Sequence, residues 1–390
     1  MRLPHLAGKL TCTGCLACVD SCGKQAVVMN KGEDGHFYVN VDADKCVGCL
    51  RCEKVCMRIH QGGYGNNQKT SHPYAVYNKD ERSYLRATSG GVFPALASFF
   101  INQGGVVYGA AYVDGIHVAH ERISKIDEIE CLQGSKYEQS DLSGIYKQIA
   151  EDLKHQVKVL FVGTGCQVAG ILAYFSNNKN ISFLYTADLV CGGVPSSLLI
   201  EAFASNHADF WKVDAYRQKD KYVFSYINKR GSKVVCHKAL PLDGFKSCLT
   251  NRYSCYNCEF IGLHRKSDWS IGDYWGDRSG KVRSLCLCHS ERAMTIVKGL
   301  PNVELESVDW QFVLHNPRIV NGKAPFANRI ERKCLGFFFR KLPYSFIRKI
   351  YGSDVGKTDV IWFGYKVYKY VRFKRYFAKS KCIAKKILNS

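Results

Sequence analysis

Two runs of four cysteines near the N-terminus constrain this chain more than any other feature of its sequence. The first run is Cys12-x2-Cys15-x2-Cys18-x3-Cys22, and the second is Cys46-x2-Cys49-x2-Cys52-x3-Cys56. The spacing is the same in both runs, so that three closely spaced thiols of each run can converge on one inorganic centre. Repeated thiols of this kind indicate either metal binding or a disulfide framework, depending on the redox compartment.

The N-terminus favours a reducing compartment. Met1–Leu10 lacks the apolar core of a signal peptide, and Cys12 comes before such a peptide could end. The longest mostly apolar run, Val92–Ile101, is well short of the roughly 18 residues of a membrane span. We therefore expect a cytoplasmic protein whose 19 cysteines stay reduced and whose clustered thiols bind metal.

The spacing of the two runs is typical of bacterial two-cluster ferredoxins, in which the fourth cysteine of each run ligates the other cluster. Zinc fits less well, because a zinc site takes four ligands in two pairs, whereas each run here already has four cysteines. Disulfides fit less well because they need an oxidising compartment. His36–Val41 alternates like a strand, and Gly23 and Met57 stand where ferredoxins usually have proline. We predict two [4Fe–4S] clusters in a module over residues 1–60, with the ligand sets Cys12, Cys15, Cys18, Cys56 and Cys46, Cys49, Cys52, Cys22.

The rest of the chain has the alternation of strands and helices that is typical of an α/β protein. A polar linker is expected at Gln61–Thr70, followed by domains at residues 70–150 and 151–320. The pattern predicts strands at Tyr74–Asn78, Val106–Tyr112, Val157–Val162 and Ile181–Val190, and helices at Val92–Asn102 and Val168–Phe175.

Two turns of small residues are candidate anion sites. Ser89–Gly91 opens a predicted helix, where backbone N–H groups can hold a phosphate, although a tight turn without a ligand is the alternative. Gly134–Tyr137 carries a lysine and could equally be a solvated loop. The turn after Val162 fits neither the GxGxxG nor the Walker pattern, because Val168 and Ile171 occupy the required positions.

Four further cysteines suggest another centre. Cys166 and Cys191 each follow a predicted strand, at the sheet edge where ligands bind, and Cys255-x2-Cys258 comes later. Spacing alone leaves three interpretations open: a third [4Fe–4S] cluster, a zinc site that pairs Cys255 and Cys258 with Cys286 and Cys288, or inert buried thiols.

The chain resembles the beta subunits of coenzyme F420 hydrogenases and dehydrogenases. The matching segments are Thr88–Leu96, Gly134–Ser140, Phe161–Gly170, Leu189–Ser196 and Ser254–Gly276. Gly165 stands where relatives usually have proline. The resemblance implies FAD held by Ser89, Gly90, Gly91, Ser135, Lys136 and Tyr137, and a third cluster on Cys166, Cys191, Cys255 and Cys258. We add Thr164 and Gln167 as candidate cofactor contacts. A β-branched side chain at Gly90 is expected to block the approach of the cofactor.

The resemblance implies an iron–sulfur flavoprotein oxidoreductase that exchanges electrons between its clusters and a two-electron organic substrate, F420-type or other. Some members are linked with surface polysaccharide synthesis. His264 and Asp273 are candidate proton donors, with surface or structural roles as the alternative. The expected partner is a redox protein such as reduced ferredoxin. The rival hypotheses are a non-catalytic electron-transfer subunit and a zinc-plus-cluster interaction module.

A basic, aromatic segment ends the chain. The formal net charge is +21, and residues 329–390 hold 17 of the 55 Lys and Arg but 3 of the 34 Asp and Glu. We predict a mostly helical extension over 321–390 that packs its aromatic side chains on the body, with contact to the inner membrane surface or to an acidic redox partner as alternatives. Nucleic acid is disfavoured, since no recognised binding module accompanies the charge.

The predicted fold is thus an α+β ferredoxin-like module, then α/β flavin- and cluster-binding domains, then this extension.

Overall fold

The computed structural model describes residues 2–59, 70–219, 221–237, 239–248, 250–275 and 280–314. The predicted C-terminal extension at 321–390 lies outside the described residues, as does the predicted linker apart from Thr70. Within the described parts of the chain, no helix is long and apolar enough to cross a membrane.

The N-terminal module has two short helices and a hairpin. Its elements are α1 (Ala17–Asp20), β1 (Val27–Lys31), β2 (Phe37–Val41) and α2 (Arg51–Lys54). β1 pairs antiparallel with β2, with Val27 opposite Val41. Each helix directly follows a residue in the left-handed region, Leu16 or Leu50, so that the chain turns sharply between the thiols of each run.

The remaining strands form one large sheet and one small sheet. In chain order they are β3 (His72–Asn78), β4 (Val106–Tyr112), β5 (Val118–Ile123), β6 (Val159–Thr164), β7 (Leu184–Leu189), β8 (Phe210–Ala215), β9 (Phe224–Asn228), β10 (Lys233–Cys236), β11 (Trp269–Asp273), β12 (Ser284–Cys288) and β13 (Val303–Ser307). The large sheet has the order β13-β3-β12-β11-β7-β6-β4-β5, and the small one β10-β9-β8.

The centre of the large sheet is parallel and its margins are antiparallel. β4, β6, β7 and β11 run in the same direction, whereas β5, β12, β3 and β13 pair antiparallel with their neighbours. The four parallel strands therefore end at one edge of the sheet. Strands from both sides of residue 150 belong to this sheet, and the predicted boundary at 150/151 falls inside the helix Ile145–Lys154.

Helices cover both faces of the large sheet, as buried parallel strands require. The helices after the N-terminal module are, in chain order, α3 (Glu81–Arg86), α4 (Val92–Asn102), α5 (Ile129–Leu132), α6 (Ile145–Lys154), α7 (Gly165–Tyr174), α8 (Leu198–Ser205), α9 (Leu240–Ser247), α10 (Glu291–Lys298) and α11 (Trp310–Val313). One core contains residues of α4 and α10 with Trp269. The other contains residues of α6 and α7, which pack against Leu16 and Ala17 of the N-terminal module.

The N-terminal module is docked on the sheet domain through buried polar contacts. The carboxylate of Asp20 accepts hydrogen bonds from the backbone N–H of Gly144 (3.0 Å) and Tyr146 (3.1 Å), at the N-terminus of α6. A carboxylate at that end of a helix also interacts favourably with the helix dipole. The hydroxyl of Tyr146 donates to the carbonyl oxygen of Cys15 at 2.6 Å. These contacts place the first cysteine run directly against α6 and α7.

Candidate functional site

A cavity of about 670 Å³ opens at the carboxyl ends of the parallel strands. This is the edge at which open α/β sheets bind ligands. Its wall includes the turn before α4, the 134–140 segment and the turns after β6 and β7. All predicted cofactor-binding residues except Gly90 line it: Ser89, Gly91, Ser135, Lys136, Tyr137, Thr164 and Gln167.

The turn before α4 places the N-terminus of this helix at the cavity. Gly91 has φ 85°, in the left-handed region that favours glycine, and α4 begins at the next residue. The side-chain amide of Asn78 donates to the carbonyl oxygen of Gly91 at 3.2 Å. The hydroxyls of Thr88 and Ser135 lie 3.1 Å apart, which joins this turn to the 134–140 segment. The free amides at the start of an 11-residue helix can hold an anion such as a phosphate.

Gly90 has a different role from the one expected of it. A Cβ at this position would lie 2.1 Å from the carbonyl oxygen of Val76 and 2.3 Å from the backbone nitrogen of Ser284. The close approach of β3 and of the start of β12 therefore leaves no room for a side chain at position 90. Gly90 itself does not line the cavity. We predicted that a side chain here would block the cofactor. In this fold it would first meet the backbone of Val76 and Ser284.

We accordingly predict that Gly90→Ala lowers the free energy of unfolding by roughly 1–3 kcal/mol, the usual cost of overpacking a core. Gly8→Ala is the matched control, because nothing lies within 4 Å of a Cβ built there. Urea unfolding of both variants measures the difference. Equal stability of the two variants would contradict this packing role.

The side chains of the 134–137 segment are already engaged with the protein. The Lys136 ammonium donates to the carbonyl oxygens of Gln133 (2.8 Å) and Leu132 (3.3 Å), and burial lowers its pKa to about 8. The Tyr137 ring stacks on Phe245 with centroids 3.6 Å apart. Lys136 thus holds the end of α5, while Tyr137 forms an aromatic wall with α9.

Thr164 and Gln167 line the cavity and also fix the start of α7. The Gln167 side chain accepts a hydrogen bond from the backbone N–H of Thr164 at 2.9 Å, and the two residues form a capping box. The reciprocal bonds satisfy donors that a helix N-terminus otherwise leaves open. These hydrogen bonds join the residues on either side of Cys166 and so fix the turn that carries its thiol.

The two predicted proton donors differ in their position. Asp273 lines the cavity but forms an ion pair with Arg217, whose Nη1 lies 2.8 Å from Oδ2. His264 is absent from the residues that line the cavity. Both carboxylate oxygens of Asp273 accept hydrogen bonds from the Arg217 guanidinium, so Asp273 is suited to orienting Arg217.

Glu138 is a half-buried residue of the cavity wall that is not among the sequence-predicted site residues. Burial raises its pKa well above the ordinary value, and the Tyr216 hydroxyl donates to Oε1 at 2.6 Å. A carboxyl group whose pKa is raised in this way is a chemically competent proton donor at a cavity wall.

The raised pKa of Glu138 predicts a specific pH dependence of stability. Above the ordinary Glu pKa the folded state binds a proton that the unfolded state releases, so stability decreases as the pH rises towards the folded pKa. Glu138→Gln keeps the acceptor for Tyr216 and removes the titration. We expect the wild type to lose up to about 1.4 kcal/mol per pH unit relative to this variant as the pH rises above about 5 towards the raised pKa.

The measurement is urea unfolding across that pH range at matched cofactor content. Glu121→Gln, at an exposed position in β5, is the control and should follow the wild type. Parallel curves for the wild type and Glu138→Gln would show that the carboxyl group is not held protonated.

A second cavity, of about 310 Å³, lies in the N-terminal module. Among the residues that line it are the four predicted ligands of the second cluster: Cys22, Cys46, Cys49 and Cys52. The thiol of Cys22 therefore faces the run of Cys46 rather than its own, as the crossed ligand pattern requires. Cys49 is exposed, whereas the other predicted ligands are buried or half-buried.

The other predicted set also converges. Burial and the neighbouring thiols of Cys12 and Cys56 raise the pKa of Cys15 to about 11. Burial, followed by the thiols of Cys15, Cys12 and Cys56, likewise raises the pKa of Cys18. Cys56 thus lies among the thiols of the first run. Thiols whose pKa is raised in this way must release protons to bind metal, and the charge of the metal favours that release.

The four later cysteines come together at the floor of the large cavity. Cys166 and Cys191 line it. Burial raises the pKa of Cys255 to about 12, with further contributions from Cys191 and Cys166, and raises that of Cys258 to about 12, with contributions from Cys255 and Cys191. Two strand ends and the CxxC loop therefore bring four thiols near enough to influence one another's pKa.

Cys286 and Cys288 lie elsewhere. Both are fully buried on one face of β12, in the core that contains Trp269. They interact with each other, and neither is among the groups that shift the pKa of Cys255 or Cys258. The zinc site that pairs these two thiols with the CxxC loop is therefore not formed in the fold. Within the described residues, no three His, Cys, Asp or Glu side chains are grouped so as to hold a single metal ion.

The first cysteine run and the later thiol group are close neighbours. A Cβ at Gly170 of α7 would lie 3.0 Å from the Cys15 sulfur, and Cys166 is one helical turn earlier. Cys15, Cys166 and Cys258 all pack against one small apolar cluster around Met57 and Phe260. The thiol groups thus follow one another from exposed Cys49 to the cavity floor.

Comparison with known proteins supports two parts of this picture. Residues 156–309 match a family model that describes the C terminus of the coenzyme F420 hydrogenase/dehydrogenase beta subunit, and residues 11–58 match a 4Fe-4S dicluster domain. These matches confirm the predicted resemblance and the predicted N-terminal dicluster module. They indicate an iron–sulfur protein of an oxidoreductase-related family.

A search of solved structures found similarity to a chain of the F420-reducing [NiFe] hydrogenase complex from Methanosarcina barkeri. The two chains are 16% identical with a TM-score of 0.46, over 64% of this chain and 88% of that chain. A search of curated proteins gave no match.

Proposed function

We propose that this chain is an iron–sulfur flavoprotein oxidoreductase. It would pass electrons from a redox partner protein, such as a reduced ferredoxin, through its clusters to FAD and a two-electron organic substrate, F420-type or other. The observation that carries the proposal is the composition of the large cavity, whose wall combines the predicted flavin segments with the thiols of Cys166 and Cys191.

The thiol groups fit iron–sulfur clusters in number, grouping and chemistry. Four cysteines surround the smaller cavity, four converge around Cys15, and four converge below the large cavity. Thiolates are the usual ligands of [4Fe–4S] clusters, which take four each. We assign the third cluster to Cys166, Cys191, Cys255 and Cys258.

The large cavity fits a flavin in its size and its polar groups. A volume of about 670 Å³ lies within the usual range of ligand and cofactor sites. The amides at the start of α4 would hold the phosphates, Tyr137 and Phe245 would supply an aromatic wall, and Ser135 would add a hydroxyl. When bound, the flavin would exchange single electrons with a cluster and two electrons with an organic substrate.

The chain itself provides for the proton that accompanies such a reduction. Burial raises the pKa of Glu138 at the cavity wall, and the Tyr216 hydroxyl, which donates to Oε1, fixes the orientation of the carboxyl group. Arg217, held by Asp273, presents a permanent positive charge at the same wall and can orient an anionic substrate. Glu138 thus replaces His264 as our candidate proton donor.

Anaerobic purification followed by iron, sulfide and flavin analysis tests the proposal. We expect about twelve irons per chain, from three clusters of four, together with bound FAD. Reduction of an added organic acceptor by the isolated protein would separate an enzyme from the rival hypothesis, a subunit that only relays electrons. A protein with full iron content that binds no flavin would refute the flavoprotein assignment.

A further inference from the structure

Arg252 is a fully buried cation at the junction of three parts of the chain. Its side chain donates to the carbonyl oxygens of Cys12 (Nε, 2.7 Å) and Phe37 (Nη2, 2.6 Å), and to Oε1 of Gln139 (Nη1, 2.7 Å). Nη2 also lies 3.5 Å from the Cys12 sulfur. The guanidinium therefore connects the N-terminal module with the 134–140 segment of the cavity wall.

The backbone of Arg252 reaches the third group of cysteines. Its N–H donates to the carbonyl oxygen of Val194 at 2.9 Å, and its own carbonyl oxygen accepts from the N–H of Cys255 at 3.0 Å. One residue thus contacts a ligand of the first predicted cluster through its side chain and a ligand of the third through its backbone. A shift of this residue would change the separation of the two centres.

The charge of Arg252 has no carboxylate partner among the described residues. Its neighbours there are neutral oxygens, the Cys12 sulfur and the Tyr38 ring, whose centroid is 4.6 Å away. Arg265 shows the usual arrangement in the same protein, because this buried guanidinium is paired with Asp188 at 2.9 Å. A buried charge without an opposite charge is costly. The negative charge that would compensate Arg252 is that of a cluster ligated by the Cys12 thiolate.

We propose that Arg252 is a positioning residue that raises the reduction potential of the cluster on Cys12 and fixes this cluster relative to the third group of thiols. A reduced cluster carries one more negative charge than an oxidised one, so a fixed cation beside it favours reduction. Hydrogen bonds to a ligating sulfur act in the same direction. The inference rests on the N-terminal dicluster part of the proposed function and needs neither the flavin nor the third cluster.

Arg252→Gln removes the charge and keeps donor groups, whereas Arg252→Lys keeps a charge. Gln139→Glu is an independent variant, because it places a carboxylate beside Nη1 and neutralises the guanidinium without removing it. In the whole protein, a redox titration followed by electron paramagnetic resonance reports both N-terminal clusters. The cluster on Cys46 is the internal reference.

We expect Arg252→Gln and Gln139→Glu to lower the ratio of reduced to oxidised Cys12 cluster about tenfold at fixed potential, equivalent to about 59 mV for one electron. The reference cluster should not change, and Arg252→Lys should restore most of the ratio. If Arg252→Gln fails to fold or loses iron, Gln139→Glu decides the question.

An unchanged ratio in Gln139→Glu with full iron content would overturn the proposal, as would an equal change in both clusters or a lysine variant as impaired as the glutamine variant. A purely structural role would lower stability and iron content without this selective change. A wild-type preparation with about eight irons and no flavin would refute the proposed flavoprotein function, yet the titration would still decide the role of Arg252.

Discussion

Cys258→Ala is expected to lower the iron content from about twelve to about eight atoms per chain, because the third cluster loses one of its four ligands while the N-terminal clusters keep theirs. The loss should be nearly complete, since the site is buried and no spare cysteine is among the groups that interact with Cys258. Iron and sulfide analysis after anaerobic purification measures it.

Cys286→Ala is the matched control for that experiment. Cys286 is also buried and is also a free thiol, but it lies in the core of the large sheet, away from the CxxC loop. We expect this variant to retain about twelve irons. Zinc bound by the wild type and lost in both variants would instead favour the zinc hypothesis. A wild type with about eight irons would leave no third cluster for Cys258 to hold.

Local sequence patterns predicted much of the sheet domain. The helix Val92–Asn102 and the strand Val106–Tyr112 have the predicted bounds, because apolar periodicity and the Gly104–Gly105 pair define both. The helix predicted from Val168 begins at Gly165 instead. The signal for the earlier start was present, since threonine and glutamine three residues apart, Thr164 and Gln167, are the signature of a capping box.

Contacts between distant segments could not be predicted in this way. Ile181–Phe183 has the apolar character of a strand but forms a 3-10 turn, and β7 begins only at Leu184. The roles of Gly90 and Glu138 depend on which strands and helices surround them. No local pattern shows that a glycine meets another strand or that a carboxyl group is enclosed.

The cysteines show the same difference between what local spacing predicts and what depends on contacts between distant segments. Ferredoxin spacing was sufficient to predict the grouping of the N-terminal thiols, because three ligands of each set lie in one short run and the ferredoxin pattern supplies the fourth from the other run. The later thiols come from three separate segments, and spacing left cluster, zinc and inert thiols open. The fold resolves the zinc alternative through β12, whose alternation places both Cys286 and Cys288 on the face that packs into the core.

The docking of the N-terminal module makes a further prediction about the direction of electron flow. Cys15→Ser should remove the first cluster, because only three of its four cysteine ligands then remain. The flavin should remain, since Cys15 is not part of the large cavity wall. Reduction of the flavin by a one-electron donor such as reduced ferredoxin should then slow by about tenfold or more. A donor that transfers hydride directly to the flavin should still work at the wild-type rate.

Rapid mixing of the oxidised protein with each donor, followed through the flavin absorbance, measures both rates. Cys131→Ser is the control, because Cys131 is exposed and lies outside the three thiol groups. We expect this selectivity because Cys15 packs against α7 beside Cys166, which would place the first cluster next to the third group of thiols. If the rate of flavin reduction fell equally with both donors in a folded, flavin-loaded variant, the first cluster would have a structural role at the cavity and would not deliver electrons to the flavin. Unchanged rates with both donors would place the electron input elsewhere and leave the N-terminal clusters with a structural role.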